Sequence, residues 1–270
     1  MAGAIGGVDH CIVLVRDLAA ARVAWERLGF RTTPRGVHST HMGTANHTIM
    51  LADDYVELLG VVAETEASAK WVARLATAGE GLIAVALRAF DAAAAAGEVA
   101  AREGAPMAVQ HFGRAVALPG PGAVEARFDV VHLRDEVSPG FRLFFCRHLA
   151  PGATWPPGST EHPNGAVAIE SITIRAEDPG ATAAATARLV GRAVTARSGR
   201  PAVETGRAVL LFASLEGRLP GIEGLAIRVR DLAVAEAALA AGGIVPSREG
   251  AALSIPPEAA NGVSLRFVRA

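Results

Sequence analysis

Cysteine is scarce in this chain of 270 residues, which contains only Cys11 and Cys146. Two isolated cysteines provide neither the pairs of a disulfide framework nor the clustered thiolates of a structural zinc site. Each lies in an apolar run typical of a strand. We therefore expect two buried free thiols.

An excess of charge of one sign is also absent, since 26 Lys and Arg stand against 27 Asp and Glu. The sequence contains no run of basic residues that could bind along a phosphate backbone or an anionic membrane surface. The sequence also lacks an apolar run of about 18 residues, which a membrane-spanning helix needs, and a basic start followed by an apolar stretch, which is typical of a signal peptide. We therefore expect a cytoplasmic protein with a small-molecule ligand and neither nucleic acid nor membrane as partner.

Apolar residues are abundant, at 51% of the chain against 20% charged residues. This composition provides enough apolar surface to offset the entropy lost on folding, so we expect order throughout. The length suits two compact units of ordinary size.

A pattern of an apolar stretch, an Asp and an Ala-rich stretch with helical spacing occurs four times. Each Asp fits a helix N-cap that accepts backbone N–H groups of the first turn. The segments 15–19 and 229–233 have the same five residues, VRDLA, which supports a true repeat. The apolar stretches and their Asp residues are 11–15 with Asp17, 82–87 with Asp91, 171–174 with Asp178, and 225–229 with Asp231.

Short apolar runs separated by turn residues follow each predicted helix, which gives βαβββ modules in an α+β fold. In the first module the turn Asp53-Asp54 separates the last two runs. The predicted strands after the helices are 30–33, 45–52 and 55–62; 115–118, 126–133 and 141–147; 193–197 and 208–215; and 253–255 and 263–268.

About four modules predict two paired domains, because the open apolar face of one module must be buried against another. The segment 151–165 is the richest in turn residues and is predicted to link residues 1–150 to residues 166–270. No His follows His162, so we expect the second domain to be a degenerate scaffold.

Several short motifs occur in order along the chain: Gly7-Val8-Asp9-His10, Leu28-Gly29-Phe30, Gly43-Thr44-Ala45-Asn46, Tyr55-Val56-Glu57-Leu58-Leu59, Phe144-Phe145-Cys146-Arg147-His148 and His162-Pro163-Asn164-Gly165-Ala166. These motifs resemble the glyoxalase-like domain of the vicinal oxygen chelate superfamily, which includes glyoxalases, bleomycin resistance proteins and extradiol dioxygenases. The resemblance extends to about residue 166 and implies paired βαβββ modules with curved mixed sheets around a cavity, often with a divalent metal such as Zn, Ni, Mn or Fe, or with none.

The resemblance places His10 and Glu57 where the superfamily has metal ligands from the first and last strands of a module. Alternation along a strand puts His10 on one face with Ile12 and Leu14. A buried Glu57 needs a compensating cation or hydrogen-bond donor. That partner is either a metal, with the imidazole as acid or base, or simply His10 or an Arg in an ion pair. The equivalent positions in the other modules are Ala84, Ser171 and Gly224, which offer no such ligand.

His148 follows the last strand of the second module and is a candidate third metal ligand or catalytic base beside Glu57. The alternative is a hydrogen-bonded histidine at a strand end. The predicted metal ligands are thus His10, Glu57 and His148, and the predicted catalytic residues are Glu57 and His148.

The loop 35–43 carries His38 and His41, which we interpret as part of a solvated lid because no Cys or carboxylate ligand lies nearby in the sequence. Thr44 and Asn46 share one face of the following strand. We predict Thr44, Asn46 and His41 as substrate-binding residues, with an outward polar face as the alternative for the strand.

His111 and His132 lie outside any motif, and we interpret them as structural.

Two functions from different classes follow. The first is an enzyme for a small oxygenated metabolite, such as a metal-dependent lyase, isomerase or dioxygenase. The second is a metal-free protein that binds or sequesters a small molecule. A structural paralogue that acts through association is a third option, and a homodimer is compatible with all three.

Overall fold

The computed structural model describes residues 3–103, 105–117, 123–134 and 140–270. Within these ranges the chain forms two eight-stranded mixed sheets, one in each half of the sequence. The strands of the first sheet are β1 Ile5–Val15, β2 Gly36–Val37, β3 Thr44–Met50, β4 Tyr55–Val61, β5 Gly81–Ala89, β6 Gln110–Ala117, β7 Ala123–His132 and β8 Arg142–His148. The strands of the second are β9 Ala166–Arg175, β10 Val194–Arg197, β11 Arg200–Glu204, β12 Val209–Ala213, β13 Gly221–Val229, β14 Ser247–Glu249, β15 Ala252–Ile255 and β16 Ser264–Arg269.

Six α-helices in the described ranges connect these strands. They are α1 Leu18–Arg27, α2 Glu66–Ala78, α3 Ala92–Glu103, α4 Pro151–Thr154, α5 Pro179–Val190 and α6 Leu232–Ala241. No helix in this part of the chain has both the length and the apolar character required to cross a membrane.

The strand order β2-β3-β4-β1-β5-β8-β7-β6 shows that each sheet consists of two βαβββ modules. Within a module the first and last strands are parallel neighbours, such as β1 and β4. The two modules join through their first strands, β1 and β5, which are antiparallel. The second sheet repeats this order, so the predicted α+β fold of four modules is confirmed.

An Asp caps the first helix of every module, as the sequence pattern predicts. Asp17 accepts backbone N–H bonds from Ala19 and Ala20 at the start of α1. Asp91, Asp178 and Asp231 cap α3, α5 and α6 in the same way. These caps fix the point where each strand becomes a helix.

The strand predicted at 30–33 is wrong, because the first strand after α1 is β2 at Gly36–Val37. The segment 30–33 instead ends with Thr33 bonded to Thr48 of β3, through its backbone N–H and its hydroxyl. Helix α2 and the strands β11 and β14 were not predicted. The last residue of the strand predicted at 115–118, Leu118, lies outside the described residues.

The two faces of β1 have different surroundings. Cys11, Val13 and Val15 lie in a core that contains buried side chains from both halves of the chain. Helix α1 contacts α6, and α3 contacts α5, so the helices of the two halves pack together. His10 and Ile12 line a cavity on the other face, as alternation predicts. Both cysteines are buried free thiols, as expected.

The segment predicted as a linker, 151–165, packs against the first half of the chain. Its Trp155 ring N–H donates to the Leu51 carbonyl at 3.0 Å. Asn164 donates to the Leu28 carbonyl, also at 3.0 Å. The domain boundaries at 150 and 166 remain a prediction, and the segment between them is anchored by these contacts.

Candidate active site

His10 and Glu57 meet on one face of the first sheet. The parallel pairing of β1 with β4 sets Ile12 beside Glu57 and His10 beside Tyr55. Because alternate residues share a face, His10 and Glu57 project from adjacent strands into one space. His10 Nε2 lies 3.9 Å from Glu57 Oε2, and the two side chains are 4% and 9% exposed.

The His10 imidazole is held from three sides. Its Nδ1 lies 2.8 Å from Asp9 Oδ1. The Tyr55 ring stacks on it with a centroid distance of 4.4 Å, and the Phe144 ring meets it edge-on at 5.5 Å. Its other ring nitrogen, Nε2, is directed toward Glu57 and the cavity.

Asp9 is fully buried and receives three donors. Besides His10, His148 Nε2 lies 2.8 Å from Oδ1 and Arg88 Nε lies 2.9 Å from Oδ2. Burial alone would raise the pKa of Asp9, but hydrogen bonds from His10 and His148 outweigh it and hold the pKa well below its usual range. Asp9 is therefore a charged anchor that orients His10.

Glu57 is oriented by residues of β3 and the preceding loop. Asn46 Nδ2 donates to Glu57 Oε1 at 2.8 Å. His38 Nε2 lies 3.7 Å from the same oxygen, and His38 Nδ1 lies 2.8 Å from Thr44 Oγ1. Among the described residues, Glu57 has no Lys or Arg within ion-pair distance.

Thr44 and Asn46, predicted as substrate-binding, are buried and line the cavity. Their side chains contact His38 and Glu57, so they position these two groups. The interpretation of His38 as part of a solvated lid is wrong, because a carboxylate that is distant in sequence lies next to it. The contact between Asn46 and Glu57 follows from the antiparallel pairing of β3 with β4. This pairing sets Asn46 opposite Leu59, which is two residues beyond Glu57.

His148 lies beside Asp9 and does not line the cavity that contains Glu57. Its Nδ1 is 3.3 Å from Thr154 Oγ1, and its ring packs against Trp155 and Phe128. The role predicted for it as a metal ligand or base stays a prediction. Its contacts place it behind His10, where it supports Asp9.

Asp9, Cys146 and His148 form the one set of three side chains in the described ranges whose potential ligand atoms all lie within 4.8 Å of one another. Burial raises the pKa of Cys146 well above its ordinary value, so its thiol is protonated at neutral pH. Since three donors already surround Asp9, a metal here would have to displace one of them. We therefore interpret the cluster as a hydrogen-bonded network.

The inner cavity above His10 and Glu57 has a volume of about 170 Å³. Polar side chains form one end, and the remaining walls are largely apolar and aromatic. Its lining includes Ile12, Met42, Leu59, Trp71, Phe112, Phe128, Val130, Arg142 and Phe144. This shape suits a small molecule with an oxygenated end and an apolar body.

An outer cavity of about 1140 Å³ adjoins the inner one, and Trp71, His132 and Arg142 line both. His41, predicted as substrate-binding, is exposed and lines the outer cavity. His132, predicted as structural, stands where the two cavities meet. Burial first, and then the charges of Arg142 and Lys70, lower the pKa of His132 to about 4, so its ring is neutral at pH 7.

At the positions of the second module that correspond to His10 and Glu57, Ala84 and Phe144 offer no ligand. The pairing of Ala86 with Phe144 corresponds to the pairing of Ile12 with Glu57, so a phenyl ring occupies the position of the carboxylate. The polar floor therefore comes from the first module.

The chain matches the family described as a glyoxalase-like domain over residues 8–190. It matches no curated protein. Among solved structures, it is similar to a hypothetical protein from Staphylococcus aureus, with 12% identity and a TM-score of 0.73, covering 97% of this chain and 99% of that chain.

Two further structures share the fold at low identity. One is a xylose isomerase-like TIM barrel/4-hydroxyphenylpyruvate dioxygenase fusion protein, with 17% identity, a TM-score of 0.63, and coverage of 100% of this chain and 49% of that chain. The other is a mutant of 4-hydroxymandelate synthase from Streptomyces coelicolor, with 11% identity, a TM-score of 0.62, and coverage of 98% and 92%. Because the family match extends over more than half of its length, this chain belongs to the glyoxalase-like domain family.

Proposed function

We propose that this chain is an enzyme that acts on a small oxygenated molecule in the inner cavity, with Glu57 and His10 as the reacting side chains. The observation that carries the proposal is the buried pair itself, with 3.9 Å between His10 Nε2 and Glu57 Oε2 at the polar end of an apolar cavity. A buried carboxylate compensated by imidazole and amide groups alone is costly to stability. Such a group in a cleft is a candidate for function.

The residues themselves can move a proton. Asn46 binds Glu57 Oε1, which leaves Oε2 directed toward His10. Glu57 can accept a proton from a carbon next to a substrate carbonyl, provided that the substrate places that carbon within hydrogen-bond reach. The apolar walls exclude water and so strengthen electrostatic interactions with charge that develops on the substrate.

The resemblance to the superfamily implies a divalent cation, and the floor of the cavity fits one in part. Two ligands of one ion, each at about 2.0–2.2 Å, lie up to about 4 Å apart, which matches His10 and Glu57. Asp9 holds the second nitrogen of His10, as carboxylates do behind metal-bound histidines. His38 is the next potential metal ligand. However, the ligand atoms of His38, His10 and Glu57 do not all lie within 4.8 Å of one another. A bound cation would supply Lewis-acid polarisation of a substrate oxygen.

The direct test combines His10→Ala and Glu57→Gln with metal analysis of protein purified without chelator. We expect one of Zn²⁺, Ni²⁺, Mn²⁺ or Fe²⁺ to raise the melting temperature of the wild type and neither variant to respond. His111→Ala is the control, because His111 is exposed and lies outside the inner cavity. No bound metal, together with wild-type behaviour of both variants, would contradict the proposal.

A metal-free binding protein is the second candidate. It is favoured by Phe144 at the position that corresponds to Glu57 in the second module, and by the apolar walls. In the same melting experiment, stabilisation by organic ligands and by none of the four metals would favour this function.

A further inference from the structure

The outer cavity carries positive charge at the approach to the inner one. Its described lining includes Lys70, Arg74 and Arg142 and contains no carboxylate. In the inner cavity, Glu57 is the one carboxylate among the described lining residues. Among the described lining residues, the charge therefore changes from negative at the floor to positive at the opening.

Arg142 of β8 lies where the two cavities meet, because it lines both. Its guanidinium carbon is 5.4 Å from the centroid of Trp71 and 5.8 Å from that of Phe144. Its Nη2 is 3.4 Å from His132 Nδ1. The aromatic rings restrict the position of the guanidinium, and its Nε is buried, which strengthens its attraction for an anion.

His132 does not add to this positive charge at neutral pH. Its pKa is lowered to about 4 by burial and by the nearby Arg142 and Lys70. A neutral imidazole at the junction of the two cavities can still hydrogen-bond a ligand.

We infer that the substrate is an amphipathic carboxylate, and that Arg142 determines specificity by binding its acidic group. The apolar body lies against the apolar lining of the inner cavity, such as Ile12, Leu59 and Phe112, and the oxygenated end reaches Glu57. A planar guanidinium matches a carboxylate in a two-point contact. This inference rests on the proposed function of the inner cavity and names the class of molecule that enters it.

The experiment compares two probes of one shape, 4-phenylbutyrate and its uncharged amide, 4-phenylbutanamide, by titration calorimetry. We expect the wild type to bind the acid about tenfold to a hundredfold more tightly, since hydrogen bonds to charged groups are stronger than neutral ones. The preference for the acid should shrink with added salt. Arg142→Met should remove the preference and leave the affinity for the amide within about threefold of wild type.

Arg192→Met is the matched control, because Arg192 is exposed in the second half of the chain and should leave the preference unchanged. Lys70→Met provides a second variant at an exposed side chain of the outer cavity, and we expect it to reduce the preference about threefold. If Arg142→Met does not fold, the wild-type preference and the Lys70→Met variant carry the test. Equal affinities for acid and amide, a preference retained in Arg142→Met, or no binding of either probe would overturn the inference.

The two proposals fail separately. Loss of the acid preference alongside a retained metal response at His10 and Glu57 removes the carboxylate site and leaves the proposed function standing. An acid preference that depends on Arg142, with wild-type behaviour of Glu57→Gln, supports the carboxylate site and removes the proposed function.

Discussion

Asp9 is the residue on which the electrostatics of the site depend. It lies next to His10 in the sequence and has no exposed surface. Its charge is tolerated because His10, His148 and Arg88 all donate to it. Removing a buried charge from such a network leaves the remaining partners uncompensated.

We expect Asp9→Asn to lower the free energy of unfolding by about 3 kcal/mol at pH 7, measured by urea denaturation. Glu249→Gln is the control, since Glu249 pairs with Arg266 at the surface, where both side chains are about half exposed, and should cost about 1 kcal/mol or less. Similar losses in both variants would contradict the role of Asp9 as an anchor.

The same network has a pH response with a defined sign. The folded-state pKa of Asp9 lies below its ordinary value of 3.8, so its stabilisation is complete above that pH and is lost as acid protonates it. The difference between wild type and Asp9→Asn should therefore shrink as pH falls below about 4.

The meeting of His10 and Glu57 was predicted because the resemblance to the glyoxalase-like domain places both as ligands from the first and last strands of one module, and alternation along β1 set the face of His10. His38 and Arg142 could not be assigned to the site in this way. Their proximity to Glu57 and Trp71 depends on pairing between strands and on the position of α2, which no local pattern contains.

At the level of elements, the four strand-to-helix transitions were predictable because each has an Asp cap and an apolar strand before it. Helix α2 instead has Thr65 as its N-cap. The Thr65 hydroxyl accepts the backbone N–H of Ser68, in a capping box in which Ser takes the place of the usual Glu or Gln. The edge strand β14 consists of three exposed residues, Ser-Arg-Glu. It has no apolar alternation, so pairing with β15 alone defines it.

Helix packing between the halves predicts a sharp contrast between two glycines. At Gly242, which ends α6, an added Cβ would overlap the Arg27 carbonyl oxygen at the end of α1. Gly97 in α3 has open space around it. We expect Gly242→Ala to lower the free energy of unfolding by about 2 kcal/mol.

Gly97→Ala should instead raise it by up to about 1 kcal/mol, because alanine is the better helix former. Thermal denaturation of both variants checks the pair. A neutral Gly242→Ala would mean that α1 and α6 are not in close contact.

At the scale of the whole molecule, the two halves share one hydrophobic core, and backbone contacts reinforce it. Ala52 N–H donates to the Val167 carbonyl across the boundary. The Asp54 carboxyl accepts the Ile169 N–H, with both oxygens within 3.2 Å. A titratable group thus lies in the contact between the halves.

Burial raises the pKa of Asp54 from 3.8 to about 7, and the negative charge of Asp9 adds to the effect. Between these values the folded protein keeps a proton that the unfolded chain has released, so this group's contribution to stability falls as pH rises from about 4 to 7. Asn can still accept the Ile169 N–H and carries no charge. We expect Asp54→Asn to exceed wild type in unfolding free energy at pH 8, on the order of a few kcal/mol, and to match it near pH 4.

Urea denaturation across this range measures the difference. A gap between the two proteins that does not depend on pH would show that Asp54 does not titrate there.

The core shared by the halves also determines how binding will be detected. If neither half can lose its packing while the other keeps it, the chain melts in one cooperative transition. A ligand that enters beside Trp71 then delays melting of β9 to β16 as well, through mass action alone. An observer monitoring amide exchange in the distant half would register occupancy of a cavity to which that half contributes no lining residue.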